Sequence, residues 1–197
     1  MRKIALVAVI GAGLVCAAGS AAAEPFNDPA GRITFEAPRG WTVERQNAPN
    51  QTVVLMFNAS NDCYIFSVPN PGSANASPGA VVRGNSQPIA ASAWVNAANS
   101  IRDLFPGNSA SVTSQSVDTS DFWPVQRAEL TNGSKAVFGA ITARPGFEMM
   151  AFCASTGAPN AAAYAPIFSS LGHPNDATWE AQAAAAPQPQ TQPAPSN

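Results

Sequence analysis

The chain has 197 residues, of which only 11% are charged, with ten basic and twelve acidic side chains. Soluble domains usually carry about 25% charged residues, so polarity here comes mainly from Asn, Ser, Thr and Gln. Once Arg2 and Lys3 are assigned to a leader, the remaining chain has a net charge of −4. This balance excludes the basic surface that binding to nucleic acids or anionic membranes requires.

Residues 1–23 have the pattern of a secretory signal peptide. Two basic residues precede an apolar stretch that is too short to cross a bilayer, which needs about 20 residues. Small residues then lead to a predicted cleavage site after Ala23. We therefore expect a periplasmic or secreted protein with no transmembrane segment in the mature chain. Cys16 raises the alternative of a lipoprotein, which the bulky Val15 before it disfavours.

Two cysteines, Cys63 and Cys153, remain in the mature chain. Each stands at one end of an apolar run, and antiparallel strands would bring these two ends together. A catalytic thiol would need a base, and the chain has a single histidine, His173. A metal site would need three or four clustered ligands. In an oxidising compartment the sequence therefore predicts a Cys63–Cys153 disulfide, with no metal and no cofactor.

The first part of the mature chain predicts strands. The alternating pattern of residues 31–43, "GRITFEAPRGWTV", is broken by Pro38 and Gly40, which predicts a hairpin or a sharp bend. "TVVLMF" (52–57) and "CYIFSV" (63–68) predict a second hairpin, because the segment between them is rich in Asn and Asp. Their continuous apolarity predicts strands that are covered on both faces.

The middle of the chain predicts a long loop followed by a helix. Residues 69–88, "PNPGSANASPGAVVRGNSQP", predict a loop that is either functional or disordered. In residues 91–105 the apolar side chains follow helical spacing. Ser92 is the predicted N-cap of this helix, and Pro106 with Gly107 is its predicted end.

The last part predicts a meander and a closing helix. "SVTSQSV" (111–117) predicts a polar strand, and "WPVQRAEL", "SKAVFGAITA" and "FEMMAFCAS" predict three more. A short helix is predicted from near Ala163 to Gly172. The result is an α+β domain over 24–175, with an antiparallel sheet of about six strands, a mid-chain helix and a short C-terminal helix. The Ala/Pro/Gln-rich residues 176–197 predict a disordered tail.

The stretch "ITFEAPRGWTVE", residues 33–44, resembles the opening hairpin of the PsbP-like fold. The family usually begins with an aromatic residue followed by Pro, Gly and Trp, which correspond to Phe35, Pro38, Gly40 and Trp41. The helix before a meander and the terminal helix are also similar, so that the resemblance covers about residues 30–172. It implies a PsbP-like sandwich that acts as a binding or assembly module. Because the family has no shared active site, no functional residue is carried over.

Four aromatic residues have a predicted place. Trp41, after the first bend, and Trp94, on the mid-chain helix, are expected to lie in the core. Phe122 and Trp123 are adjacent, and neighbouring side chains of a strand point to opposite faces. One of this pair is therefore expected to be exposed as a partner contact, a role in which tryptophan is enriched.

Charged side chains supply the other candidate contacts. Arg39 lies at the tip of the first bend and Arg83 in the long loop. Either arginine could clamp an anionic ligand, and the alternative is a solvated surface arginine. Asp118 and Asp121 could form a carboxylate pair, although their spacing also fits turn capping. The predicted partner or ligand contacts are therefore the two arginines together with Phe122 and Trp123.

These observations favour an exported, non-enzymatic binding or assembly module that acts as a monomer. Its partner is expected to be a protein or a component of the cell envelope, contacted through residues 69–88 and the region around Phe122 and Trp123. One alternative is a small periplasmic hydrolase with His173 as its base, which the absence of a nucleophile motif disfavours. Another is a spacer role for the tail at the cell envelope.

Overall fold

The computed structural model describes residues 23–46 and 48–186. The predicted signal peptide lies outside the described residues except for Ala23, and so do residues 187–197. The strands are β1 (Glu24–Asn27), β2 (Thr34–Ala37), β3 (Thr42–Gln46), β4 (Thr52–Asn58), β5 (Asn61–Pro69), β6 (Ser111–Asp118), β7 (Val125–Thr131), β8 (Ala136–Arg144) and β9 (Phe147–Ser155). The α-helices are α1 (Pro78–Asn85), α2 (Ala91–Asn99), α3 (Ala165–Ser170) and α4 (Asp176–Ala185).

Seven of these strands form one antiparallel sheet in the order β3-β4-β5-β9-β8-β7-β6. The remaining two, β1 and β2, form a separate antiparallel hairpin. The fold is therefore α+β, as predicted, with seven main-sheet strands instead of about six. The bend at Pro38 and Gly40 carries the chain from the small sheet to the main sheet, and Gly40 adopts a φ of 81° there.

The centre of the main sheet is covered on both faces, which confirms for β5 the expectation from its continuous apolar run. In β4 the expectation is wrong, because alternate residues (Val53, Leu55 and Phe57) are only half-buried. One face packs against β2 and α3, through buried residues that include Phe35, Ile65 and Ile167. The other face packs against α2 and the turns that follow it, through residues that include Trp94. Gly139 permits this second contact, because a Cβ atom there would lie 2.8 Å from the Trp94 ring.

The predicted disulfide joins the two central strands of the sheet. Cys63 on β5 and Cys153 on β9 are direct cross-strand partners, with their Cα atoms 4.1 Å apart. Both residues are completely buried within the core that faces α3. The bond therefore fixes the register between β5 and β9 in the interior of the domain.

The segment 69–88 is ordered, contrary to the expectation of a long loop. It forms a 3-10 turn and then α1, whose N-cap Ser77 accepts a hydrogen bond from the backbone of Ala80. Val81 of this helix is buried in a small third cluster with Trp123 and Ala143. The high Pro and Gly content of the segment favours a loop, so the sequence does not reveal this burial. Pro78 stands at the first helical position, where proline is tolerated.

Two other helix boundaries differ from the prediction. The mid-chain helix α2 ends at Asn99 instead of 105, and Ala90, not Ser92, is its N-cap. Turns follow it, and their apolar side chains remain buried. Residues 176–185, for which the sequence predicts part of a disordered tail, form the helix α4.

Candidate functional site

A cleft of about 370 Å³ opens between the loop that precedes β7 and the turn that joins α3 to α4. We call it the junction cleft and define it by Asp121, Phe122, Trp123, Arg144, His173 and Glu180. Its lining also includes the hydroxyl groups of two serines at the end of α3. Four separate parts of the chain therefore meet at this cleft, because Thr34 of β2 also lines it.

A buried ion pair forms the base of the junction cleft. The side chain of Arg144, at the end of β8, is 3% exposed, and its Nε and Nη2 donate to the two carboxylate oxygens of Asp176 at 2.6 and 2.9 Å. Its Nη1 donates to Thr142 Oγ1 at 2.7 Å, and this hydroxyl donates to the carbonyl of Pro124. Burial lowers the pKa of Arg144, and the Asp176 carboxylate opposes this effect. The pair ties α4 to the sheet and to the loop before β7.

Trp123 lies on this ion pair. The Arg144 guanidinium carbon is 4.3 Å from the centroid of its ring, a cation–π contact. Phe122 and Trp179 meet the same ring edge to face, with centroids at 4.8 and 6.1 Å. The indole Nε1 is buried and has no hydrogen-bond partner among the described residues. Trp123 is therefore a buried support that carries an unpaired donor.

His173 lies between two aromatic rings, with centroid distances of 4.8 Å to Phe147 and 4.7 Å to Trp179. Its Nδ1 accepts a hydrogen bond from the backbone N–H of Asn175, which assigns the ring proton to Nε2. In the described part of the chain, Nε2 is buried without a partner. Burial lowers the pKa of His173, the nearby Asp176 carboxylate raises it, and Arg144 lowers it further.

Acidification is expected to destabilise the domain through His173. The folded-state pKa of His173 is lowered, so below about pH 6.5 the unfolded chain binds more protons at this residue than the folded chain does. The stability that neutral His173 supplies is therefore fully present above about pH 6.5. It is lost as the pH falls through the folded-state pKa. Urea denaturation between about pH 5 and 7 measures this slope. The His173→Asn variant keeps an acceptor for Asn175 but cannot titrate, and its slope should be smaller.

Comparing the unmodified chain with the His173→Asn variant also removes the contribution of Glu148 to the slope. Burial raises the pKa of that carboxyl, so its contribution to stability falls as the pH rises toward the folded-state pKa, which is opposite in sign to the effect of His173. Both proteins contain Glu148, and the chain has no other histidine. Equal slopes in the two proteins would contradict the assignment to His173.

A smaller cavity of about 100 Å³ adjoins the junction cleft and shares Asp121 and Trp123 with it. On its far side Asp118 accepts hydrogen bonds from the hydroxyl and the backbone N–H of Ser120, at 2.7 and 3.1 Å. These bonds, with a smaller contribution from Arg127, lower the pKa of Asp118. Asp118 is therefore a turn-capping residue, which was the alternative to a carboxylate pair.

The predicted contact residues are not brought together into one site. Phe122 is the one large apolar side chain in the described part of the chain that is exposed, at 37%, and Trp123 beside it is buried. Arg39 lies at the turn between β2 and β3 and Arg83 on the outer side of α1, and both are exposed and outside the lining of the junction cleft. Whether any of these four residues contacts a partner stays a prediction.

Three residues of the cleft and its support were not predicted from the sequence: Arg144 and Asp176, which line the cleft, and Trp179, which packs on Trp123. Arg144 carried a signal, because an arginine at the end of a strongly apolar strand needs a partner when it is buried. Asp176 and Trp179 were hidden in the predicted tail. Their roles depend on contacts with residues that are distant in sequence.

His173 has no catalytic geometry of the kind that the hydrolase alternative requires. Its ring contacts are the backbone of Asn175 and two aromatic side chains. Among the described residues, no serine hydroxyl or carboxylate forms a hydrogen bond with the ring, and the Asp176 carboxylate accepts from the backbone N–H of His173 instead. Three or more potential metal ligands do not cluster anywhere in 23–46 or 48–186. Within the same residues, no helix has the length and apolarity needed to span a membrane.

A further groove of about 230 Å³ lies between the β6–β8 end of the sheet and α3. Its lining includes two aromatic rings, Phe138 and Phe168, and two charged side chains, Arg127 and Glu129. None of the buried, unpaired polar atoms of the described residues belongs to its lining. The junction cleft, which has two such atoms on its lining residues, is therefore the better candidate for a binding site.

No protein-family model matches this chain, and no curated protein matches it in sequence. Among solved structures, the solution structure of cyanobacterial PsbP (CyanoP) from Synechocystis sp. is similar, with a TM-score of 0.52 and 13% identity over 82% of this chain and 98% of that chain. A crystal structure from Bacteroides thetaiotaomicron matches with a TM-score of 0.47 and 10% identity, over 79% of this chain and 50% of that one. The first match confirms the PsbP-like fold predicted from residues 33–44.

Proposed function

We propose that this chain is an exported, non-enzymatic binding or assembly module that holds a protein or cell-envelope partner at the junction cleft. The observation that carries the proposal is the exposed Phe122 ring, which packs against Trp123 at the rim of a polar cleft. Aromatic side chains, Phe included, are enriched at the centres of protein interfaces relative to the rest of the surface.

The support beneath Phe122 is rigid for an identifiable reason. Trp123 is held between the Arg144 guanidinium, the Trp179 ring and Val81 of α1. Residues 69–88 therefore contribute to the proposed site through α1, which buttresses Trp123, and not as a mobile loop. A preorganised support of this kind loses little conformational entropy when the protein binds a partner.

Two further observations support the proposal. The chain has a PsbP-like fold, and the resemblance to that family implies a binding or assembly module. Residues 1–23 have the pattern of a signal peptide. The disulfide between buried Cys63 and Cys153 fits a protein that folds in an oxidising compartment. A periplasmic location and a monomeric state belong to this proposal.

Site-specific photocrosslinking tests the proposal. A photoreactive phenylalanine analogue is placed at Phe122 of the full chain, and the matched control is placed at Ser111, which is exposed on the edge strand β6. In cells of the source organism, the probe at 122 should form one discrete adduct that the probe at 111 does not form. An excess of the unlabelled chain should compete with this adduct.

Identical adduct patterns at the two positions, or no adduct at 122, would refute the assignment of the contact surface. Fractionation of the same cells tests the location, because an exported protein should appear in the periplasm or the medium. Its mass should correspond to cleavage after Ala23.

A further inference from the structure

We infer that the junction cleft recognises a basic peptide segment, in which a Lys or Arg side chain stands next to an apolar residue. This inference rests on the proposed function, because it specifies the chemistry of the partner at the same cleft. The juxtaposition that carries it is two carboxylates without ion-pair partners, two buried donors without acceptors and one exposed aromatic ring.

The charge of the cleft selects a cation. The lining holds one guanidinium, Arg144, which pairs with Asp176 and also interacts electrostatically with Glu180. Asp121 is a third carboxylate of the lining and forms no ion pair among the described residues. His173, the other titratable group of the lining, is neutral when Nδ1 accepts its hydrogen bond from Asn175. Three carboxylates against one guanidinium leave an excess of negative charge, which repels an anionic ligand and attracts a cationic one.

The exposed aromatic ring favours a cation with an apolar neighbour. Phe122 directly follows Asp121 in the chain, and both line the cleft and are exposed. An arginine or lysine that approaches Asp121 can therefore also lie over the Phe122 ring, which attracts cations through its face. The remaining area of the ring is available to an apolar side chain of the same segment.

The unpaired donors indicate that the ligand also supplies acceptors. Trp123 Nε1 and His173 Nε2 both belong to residues of the cleft lining that are at least nine-tenths buried, and neither finds an acceptor in the described part of the chain. A metal ion or a simple ammonium group has no acceptor to offer. A peptide combines a cationic side chain with backbone carbonyl oxygens, which accept from N–H groups.

The geometry also requires a small movement. Both donor atoms are covered, so a carbonyl oxygen reaches Trp123 Nε1 only when a neighbouring side chain shifts. Phe122 packs on Trp123 and is itself exposed, which makes it the ring able to move without opening the core. The adjoining smaller cavity, which shares Asp121 and Trp123, extends the cleft in the way that a peptide segment needs.

Nuclear magnetic resonance titration of the full mature chain tests the inference with three matched probes. These are the capped tripeptides acetyl-Arg-Phe-Arg-amide, acetyl-Gln-Phe-Gln-amide and acetyl-Glu-Phe-Glu-amide. The arginine peptide should shift the indole N–H signal of Trp123 saturably, because that donor gains an acceptor. The glutamine peptide should bind at least about tenfold more weakly, and the glutamate peptide should not bind.

Two further measurements test whether the charge of the cleft is responsible. The variant Asp121→Asn with Glu180→Gln should weaken binding of the arginine peptide about tenfold, whereas Glu44→Gln with Asp62→Asn, which removes the same charge outside the cleft, should not. In the unmodified chain, raising the salt from about 0.05 to 0.5 M should weaken the same binding, since exposed charges are screened. This second measurement does not depend on the folding of any variant.

The outcomes separate the inference from the proposed function. Equal binding of the three peptides, or arginine-peptide binding that leaves the Trp123 signal unchanged, would overturn the inference. A crosslink at position 122 that persists together with failure of all three peptides would leave the binding module standing and reject the basic segment. Binding to a neutral glycan in place of the arginine peptide would also reject it.

Discussion

Replacing both Cys63 and Cys153 with alanine is expected to lower the free energy of unfolding by about 2–5 kcal/mol. The bond closes a loop with a sequence separation of 90 residues, for which the chain-entropy model predicts a contribution near the upper end of this range, about 4.6 kcal/mol. Urea denaturation followed by tryptophan fluorescence measures the difference. The urea dependence should also steepen, because the unfolded chain becomes more expanded when the cross-link is absent.

A second substitution pair separates the cross-link from the packing. Both sulfur-bearing side chains are completely buried, so the two alanines also remove core volume. The variant Cys63→Val with Cys153→Ala restores part of that volume and should still lose most of the stability. Denaturation curves that coincide for the oxidised chain and both variants would contradict a structural disulfide, as would two free thiols in the intact mass of the secreted protein.

Replacing Asp176 with asparagine is expected to cost about 3 kcal/mol of stability, the second large effect. The Arg144 side chain is 3% exposed, so removal of its counter-ion leaves a buried guanidinium uncompensated. Breaking a buried pair in this way usually costs about 3–5 kcal/mol, and the lower end applies because the Asp176 side chain is 22% exposed. Equilibrium denaturation with urea provides the measurement.

A double-mutant cycle shows whether the loss arises from the pair. Arg144→Met removes the cation and keeps much of the side-chain volume, so the double variant with Asp176→Asn should lose less than the sum of the two single losses. Glu44→Gln, which removes an exposed carboxylate on β3, is the matched control and should change stability by no more than about 0.5 kcal/mol. Additive losses would show that the two side chains are not coupled.

The pair also connects stability to the proposed binding surface. Asp176 is the first residue of α4 and accepts a hydrogen bond from the backbone of His173 in addition to those from Arg144. The same helix places Trp179 against Trp123 and His173. Variants of this pair should therefore loosen α4 and change the surroundings of Trp123, whereas variants of the disulfide should leave the cleft unaltered while the domain stays folded.

Much of the main sheet was predictable from local patterns. Continuous apolar runs predicted β4 and β5, and the segments of the meander predicted β8 and β9. Their antiparallel order placed Cys63 opposite Cys153, which is the arrangement that the cysteine count predicted. The motif in residues 33–44 led to the PsbP-like fold that the structural match shows.

The segments around the cleft were harder to predict because their order depends on distant contacts. Residues 69–88 are rich in Pro, Gly, Asn and Ser, which favours a loop, but Val81 is buried against Trp123 and Ala143. Residues 176–185 are rich in alanine and have little apolar surface apart from Trp179. In both segments one or two side chains obtain their partners from elsewhere in the fold, and composition cannot show this.

From its sequence alone, this protein can be assigned an α+β class, its central strands and one buried cross-link, because spacing of apolar residues and pairing of two cysteines are properties of the chain itself. Only the tertiary structure decided that Arg144 meets Asp176, that Trp123 is buried beneath an exposed Phe122, and that His173 is enclosed by aromatic rings. These arrangements arise where the end of β8, the loop before β7 and α4 converge. The free-energy contribution of a charge or an unpaired donor depends on the groups that lie next to it in space.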